Sequence, residues 1–287
     1  IHENPLRIAE EVAMIDILSG GRVICGFVRG IGQESIATNT NPIYNRERFD
    51  EAHDVIIKAW TNPGPFRYEG KHYHYRVVNP WVMPLQKPHP PIWIPGVAST
   101  ESIVWAAKHK YPYVALAPPM DLLRGIYDLY DETAKADGWT PTAEHRAYAI
   151  RVNVADTDEK AYEEGKNFYW QLGTSFGVTP PHWQAPPGYI SRSSAQGARE
   201  AARSAASNIT PGGSSMPYEE AQATVQIITG NPDTVIEKLK KIIDLIDPGY
   251  VVLWGREGPM SHDVAMRSID LMSQEVIPAI KEYQAVA

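Results

Sequence analysis

The stretch Ile92-Trp93-Ile94-Pro95-Gly96-Val97-Ala98-Ser99-Thr100-Glu101-Ser102 holds residues suited to binding an anion. A short apolar run ends at a glycine, and a helical pattern then opens with two hydroxyls three residues apart. The first turn of a helix carries unpaired N–H groups and the positive end of the helix dipole. Gly96 permits close backbone approach, and Ser99 and Ser102 add hydroxyl donors, so the turn can cradle a phosphate. The simpler alternative is that Ser99 is only a helix cap. Arg29 is the second element. It lies just past the apolar run Arg22–Phe27, and its guanidinium is a planar fork that matches phosphate oxygens. Its alternative is a surface ion pair with Glu34.

Other candidates carry less. Cys25 is the only cysteine, which excludes an internal disulfide and a cysteine-based metal cage; its place in the strand predicts inert core packing. His72 and His74 have a spacing that puts both on one face of a strand, but no third ligand is identifiable, so no metal is expected. His182 and Trp183, with Tyr189 after Pro186-Pro187-Gly188, are candidates for a substrate wall. The chain holds no Gly-x-Ser-x-Gly elbow, phosphate-binding loop of the NTPase type or zinc-protease motif. Gly26, Gly30 and Gly32 lack the dinucleotide-binding spacing.

These residues need elements to position them. Apolar runs alternate with helical patterns, as in repeated βα units around a parallel sheet. The spacing predicts helices over residues 5–18, 46–60, 99–110, 121–137 and 158–173. A further helix begins after Asn231-Pro232-Asp233, which reads as a cap, a first-turn proline and an acid. It ends at Asp247-Pro248-Gly249. A last helix starts near Ser261, and Pro278 is expected to kink it. Five strands of the parallel type are predicted over 22–27, 92–95, 113–117, 148–155 and 250–254. Residues 66–75 read as a hairpin around Glu69-Gly70-Lys71. Residues 178–222 break the rhythm with prolines and small residues. An irregular stretch of that length suits an active-site lid, or else a surface loop without function.

Composition bounds the class. The 287 residues are 43% apolar, enough for a substantial core, and the formal net charge is −7. An acidic chain is a poor partner for nucleic acid. No apolar run is long enough to span a bilayer, and no signal peptide opens the sequence, so a soluble cytoplasmic protein is expected.

Across nearly its whole length the chain resembles the bacterial luciferase-like flavin monooxygenases. The block Leu18-Ser19-Gly20-Gly21-Arg22 followed by Gly26-Phe27-Val28-Arg29-Gly30 carries the resemblance best, and Ser99-Thr100-Glu101-Ser102 with Trp105-Ala106-Ala107 supports it. The resemblance implies a (β/α)8 barrel of the TIM type, read as a single domain over 1–287 with the insertion at 178–222. It places three further strands ahead of residue 1. It also implies that Arg29, Ser99 and Ser102 hold the phosphate of FMN, with Val28, Gly96 and Ala98 completing the cofactor set. Val28 stands where light-emitting members carry a cysteine, which argues against bioluminescence. His2 falls next to the strand-end position near the flavin ring and would line the substrate side.

The implied activity is oxygenation of a small apolar substrate by reduced FMN and oxygen, the FMN being supplied by a separate flavin reductase. A homodimer is implied as well. Two alternatives stay open: a deazaflavin-dependent hydride-transfer enzyme on the same barrel, and a non-catalytic flavin-binding or structural member. No catalytic residue and no particular substrate can be named from the sequence.

Overall fold

A computed structural model describes residues 2–168, 183, 186–189 and 217–286. The chain divides into two compact units, Ile1–Trp93 with Thr179–Arg199, and Ile94–Val178 with Glu200–Ala287.

In the first unit, α1 spans Pro5–Ser19. Asn4 caps it by accepting from Leu6 N–H, Pro5 occupies the first turn, and Gly20 stops it in the left-handed region. Ala9 and Ala13 are fully buried. Their small size lets α1 lie close to α3, Asn45–Thr61, and Trp60 Nε1 donates to Ala9 O at 2.8 Å. Asp16 is a fully buried acid, satisfied by the backbone N–H and side-chain amide of Gln86 at 2.9 and 2.7 Å.

Strand β1 is only Cys25–Gly26, parallel to the first residues of β4, Ile92–Gly96. The predicted strand over 22–27 is cut short for a physical reason. Cys25 N–H donates to Pro91 O, and the partner chain before that point is Pro90-Pro91, which has no N–H to give back. The stretch after β1, read from sequence as loop, contains a short helix α2, Gly32–Ala37, and a 3-10 turn at Pro42–Tyr44. The hairpin forms as predicted, from β2, Phe66–Glu69, and β3, His74–Val78. Glu51 of α3 holds its turn by accepting the N–H groups of Lys71, His72 and Tyr73. His72 therefore lies in the turn, not on the strand with His74, and its ring bonds to Glu47 at 2.8 Å.

The second unit is built around β6, Arg146–Val154, which is buried from Ala147 onward. It pairs in parallel with β5, Tyr113–Leu116, and with β8, Tyr250–Trp254. Residues 94–96 of β4 extend the ladder from β5. A further parallel strand, β7 at Ile227–Gly230, pairs with residues 151–154 of β6; it was not among the five strands expected. The helices are α4, Thr100–Lys108, α5, Met120–Ala136, α6, Asp158–Phe168, α7, Tyr218–Ala223, and α8, Pro232–Ile246. Helix α7 falls at the end of the stretch expected to be irregular, most of which lies outside the described residues.

Helix α8 begins as its sequence implied. Asn231 accepts from Thr234 N–H at 3.0 Å, and Val235, Leu239, Ile242, Ile243 and Ile246 are its buried face. The last segment, α9 at His262–Leu271 and α10 at Ile277–Val286, is joined by a π turn over Met272–Val276. Pro278 has no N–H for the carbonyl one turn back, and the wider π turn just before it absorbs the missing bond.

Asn231→Ala removes the cap of α8 and should lower stability by about 1 kcal/mol. Urea unfolding followed by tryptophan fluorescence measures this, and an unchanged midpoint would show that the cap adds nothing.

Candidate functional site

In the first unit a cavity of about 270 Å³ opens beside the carboxyl end of β1. Cys25, Phe27 and Val28 of the strand segment meet Ile8 of α1 and Phe49, Ala52 and Ile56 of α3 around it; His2, Glu3, Gly30 and Glu34 supply the polar edge. Ligands bind at the carboxyl ends of parallel strands because the loops there are free to diverge while the strands stay fixed. Cys25 is buried as expected, and burial alone pushes its thiol up to about 11.

Arg29 follows directly. Its Nε is buried and has no hydrogen-bond partner among the described residues. The guanidinium carbon lies 5.6 Å from the centre of the Tyr189 ring, and Tyr189 Oη donates to Gly30 O at 3.2 Å. Tyr189 is placed by a turn in which its N–H reaches Pro186 O at 3.0 Å. Gly188 sits there at φ +87, with its missing Cβ facing Ile43 at 3.0 Å. The Pro-Pro-Gly-Tyr sequence thus becomes a bracket against the arginine.

The alternative surface pairing of Arg29 with Glu34 is absent among the described residues. Glu34 instead accepts the Ile31 N–H at 2.7 Å, closing the first turn of α2. Gly30, at φ +79, must be glycine on two counts. That backbone disfavours a side chain, and a Cβ would lie 2.6 Å from His2 Nε2 and 2.7 Å from Glu34 Oε2. His2 Nδ1 lies 2.9 Å from Thr38 Oγ1 and 3.2 Å from Thr40 Oγ1. Burial lowers the pKa of His2 below the ordinary histidine value, against a smaller opposing pull from Glu34.

The other half of the expected phosphate site belongs to the second unit. Ser99 occupies the cap position of α4, but its hydroxyl donates to Glu101 Oε2 at 3.1 Å and makes no cap bond. The Ser102 and Ile103 N–H groups both reach Ser99 O, and Ala98 is exposed. The group that crowds Gly96 is Tyr113, whose Oη would lie 2.5 Å from a Cβ there. Burial pushes the Tyr113 hydroxyl well above the ordinary tyrosine range. Arg29 and the Ser99–Ser102 turn are each placed within their own unit.

Of the residues expected in a substrate wall, His182 lies outside the described residues. Trp183 is 45% exposed, and Tyr189 packs on Arg29. Residues the sequence reading passed over include Thr38 and Thr40, and, in the second unit, a buried pair at the ends of β6 and β8. There Arg151 Nε donates to Glu257 Oε2 at 2.8 Å, and the guanidinium sits 4.7 Å from the Trp254 ring centre. An arginine inside an otherwise apolar strand was the signal that could have flagged it. No group of three or more His, Cys, Asp or Glu residues able to hold a metal occurs among the described residues, and no helix among them is long and apolar enough to cross a membrane.

The comparisons with known proteins fit this geometry. The family model described as luciferase-like monooxygenase matches residues 1–247. The chain belongs to that family.

Among curated relatives it is 36% identical over 128 residues to the uncharacterized protein y4wF of Sinorhizobium fredii, a match over 44% of this chain and 36% of that protein's length. It is 30% identical over 94 residues to the oxygenase component of the flavin-dependent trigonelline monooxygenase of Acinetobacter baylyi, over 32% of this chain and 26% of the relative. Its fold is shared by solved structures, two of which serve as examples. One is the oxygenating constituent of 3,6-diketocamphane monooxygenase of Pseudomonas putida in complex with FMN (TM-score 0.69, 21% identity, 97% of this chain and 76% of that one). The other is an F420-dependent secondary alcohol dehydrogenase (TM-score 0.67, 18% identity, 96% and 75%). The fold class is that of the luciferase-like α/β barrels.

Cys25 gives a direct check on the cavity wall. With the thiol at about 11 in the fold, its reaction with a disulfide reagent at pH 8 should run about two orders of magnitude slower than after unfolding in urea. Equal rates would mean that Cys25 is not held in an apolar wall.

Proposed function

We propose that this chain is the oxygenase component of a flavin-dependent monooxygenase, taking reduced FMN from a separate reductase and oxygenating a small apolar substrate. The observation that carries this reading is Arg29: a braced guanidinium with a buried, unpartnered Nε at the end of a parallel strand, beside an apolar cavity. Those residues fit the phosphate end of a flavin mononucleotide. Arg29 would supply a charge-assisted bond to it. Tyr189 fixes the guanidinium before the ligand arrives, so little ordering is left for binding to impose.

When bound, reduced FMN supplies the reaction with oxygen. The protein's share is to anchor, to orient and to keep water out. Phe27, Val28, Phe49 and Ile56 do the last of these, since they line the cavity without offering water a partner. A second reading, hydride transfer with a deazaflavin, is favoured by the likeness to the F420-dependent alcohol dehydrogenase.

Anaerobic titration with reduced FMN and with a deazaflavin separates the two. The monooxygenase reading expects binding of reduced FMN, and tight deazaflavin binding without it selects the second reading. Arg29→Ala should weaken FMN binding about tenfold to a hundredfold, the loss of a charge-assisted bond worth roughly 1.5–3 kcal/mol, with the circular dichroism unchanged. Unaltered affinity would remove Arg29 from the site.

A further inference from the structure

Arg151 and Trp254 hold paired positions on the neighbouring parallel strands β6 and β8, so their side chains leave the same face of the sheet. Beyond β8 the loop bends at Gly258, φ +54, and Glu257 lies against Arg151. Its Oε2 accepts from Arg151 Nε at 2.8 Å. The guanidinium carbon stands 4.7 Å from the centre of the Trp254 ring. That ring is fixed in turn by Nε1, which donates to Arg256 O at 2.8 Å. The Arg151 and Glu257 side chains are only 11% and 6% exposed. A buried ion pair offsets the cost of losing water only when its remaining donors and lone pairs are also bonded. Here they are not. Among the described residues the Nε–Oε2 contact is the sole hydrogen bond of either side chain, and Glu257 Oε1 is buried without a partner. The pair meets along one bond where a guanidinium and a carboxylate could make two. The idle edges are fixed by residue type, since a guanidinium only donates and an ionised carboxylate only accepts.

We infer that Arg151 and Glu257 form a binding site for a neutral, planar ligand group with a carbonyl oxygen beside an N–H, the amide, lactam and imide class. The free Nη groups donate to the carbonyl, and Oε1 accepts the N–H. The two charges cancel within the pair, so neither an anion nor a cation finds a net partner there. A group with one acceptor and one donor satisfies both idle edges and brings no charge of its own to be stripped of water. Trp254 is 40% exposed, and its indole offers a planar ligand a stacking surface at the carboxyl end of β8. Apolar side chains of similar size would fill the same space at equal or lower cost, which makes stability a poor reason for the pair. The site lies within the second unit, owes nothing to Arg29, and does not rest on the flavin reading.

The test uses 2-pyridone, a cyclic amide, and N-methyl-2-pyridone, which keeps the carbonyl and lacks the N–H. Ligand-detected NMR titrations of flavin-free protein should show 2-pyridone binding about tenfold or more tightly than its N-methyl form. Arg151→Met combined with Glu257→Leu should abolish that binding and leave the circular dichroism unchanged. Should the double variant fail to fold, Glu257→Gln reads the same point. Its amide can still accept from Arg151 Nε but puts a donor where Oε1 accepted, so 2-pyridone should bind about tenfold or more weakly. No binding of 2-pyridone, equal binding of the two probes, or binding that survives either variant would overturn the proposal. Adding FMN separates two sources of the group. Displacement of the probe would mark it as the imide edge of a flavin ring, and FMN bound beside the probe would mark a separate ligand; both support the site. FMN that fails to bind, with 2-pyridone still held, would overturn the flavin reading and leave this site in place.

Discussion

A parallel strand must hand its chain to the next helix without leaving buried backbone groups unpaired, and this constraint governs both units. An antiparallel pair can be closed by a tight turn, but a parallel one needs a crossover, and each crossover begins at a strand's carboxyl end. After β1 the solution is Gly30 in the left-handed region and the Glu34 carboxylate on the Ile31 N–H. After β7 it is Asn231 accepting from Thr234, and after β8 it is Ser261 accepting from Val264. Each device puts a polar group at the same end of its own strand. The candidate site is a by-product of that geometry: arginine, histidine and hydroxyls gather where the backbone already demands polar partners.

How much of this was legible in the sequence depends on whether the signal was local. The caps and the alternation are local, so α8, the hairpin and β8 lie where periodicity placed them. The shortening of β1 was not legible, because it is imposed by prolines more than sixty residues away that have no N–H to offer. Strand β7 was missed for a related reason. Four residues, Ile227-Ile228-Thr229-Gly230, are too short to carry a period, and only pairing with β6 makes them a strand.

The site shows the same division. Arg29 and Ser99 were readable as residue types at the ends of apolar runs. Their surroundings were not. That Tyr189 would brace Arg29 from more than 150 residues away, or that Gly96 would make room for Tyr113, follows from packing alone. Glu34 was only the alternative partner for Arg29, and helix geometry claimed it first. A carboxylate at the third position of a helix finds a backbone N–H within reach at little entropic cost, whereas an exposed arginine pair gains little in water. Among the described residues, Arg29 Nε is left without a hydrogen-bond partner.

The Arg29 guanidinium matters more because the chain as a whole is acidic. A net charge of −7 repels anions at long range, so any phosphate would have to be captured by short-range bonds rather than steered in by the overall field. Such bonds are strongest where the partner is held rigid and partly out of water. Tyr189 and the apolar wall of Cys25, Phe27 and Val28 supply both conditions around Arg29. A ligand phosphate beside Arg29 would therefore depend on the arginine's own short-range bonds.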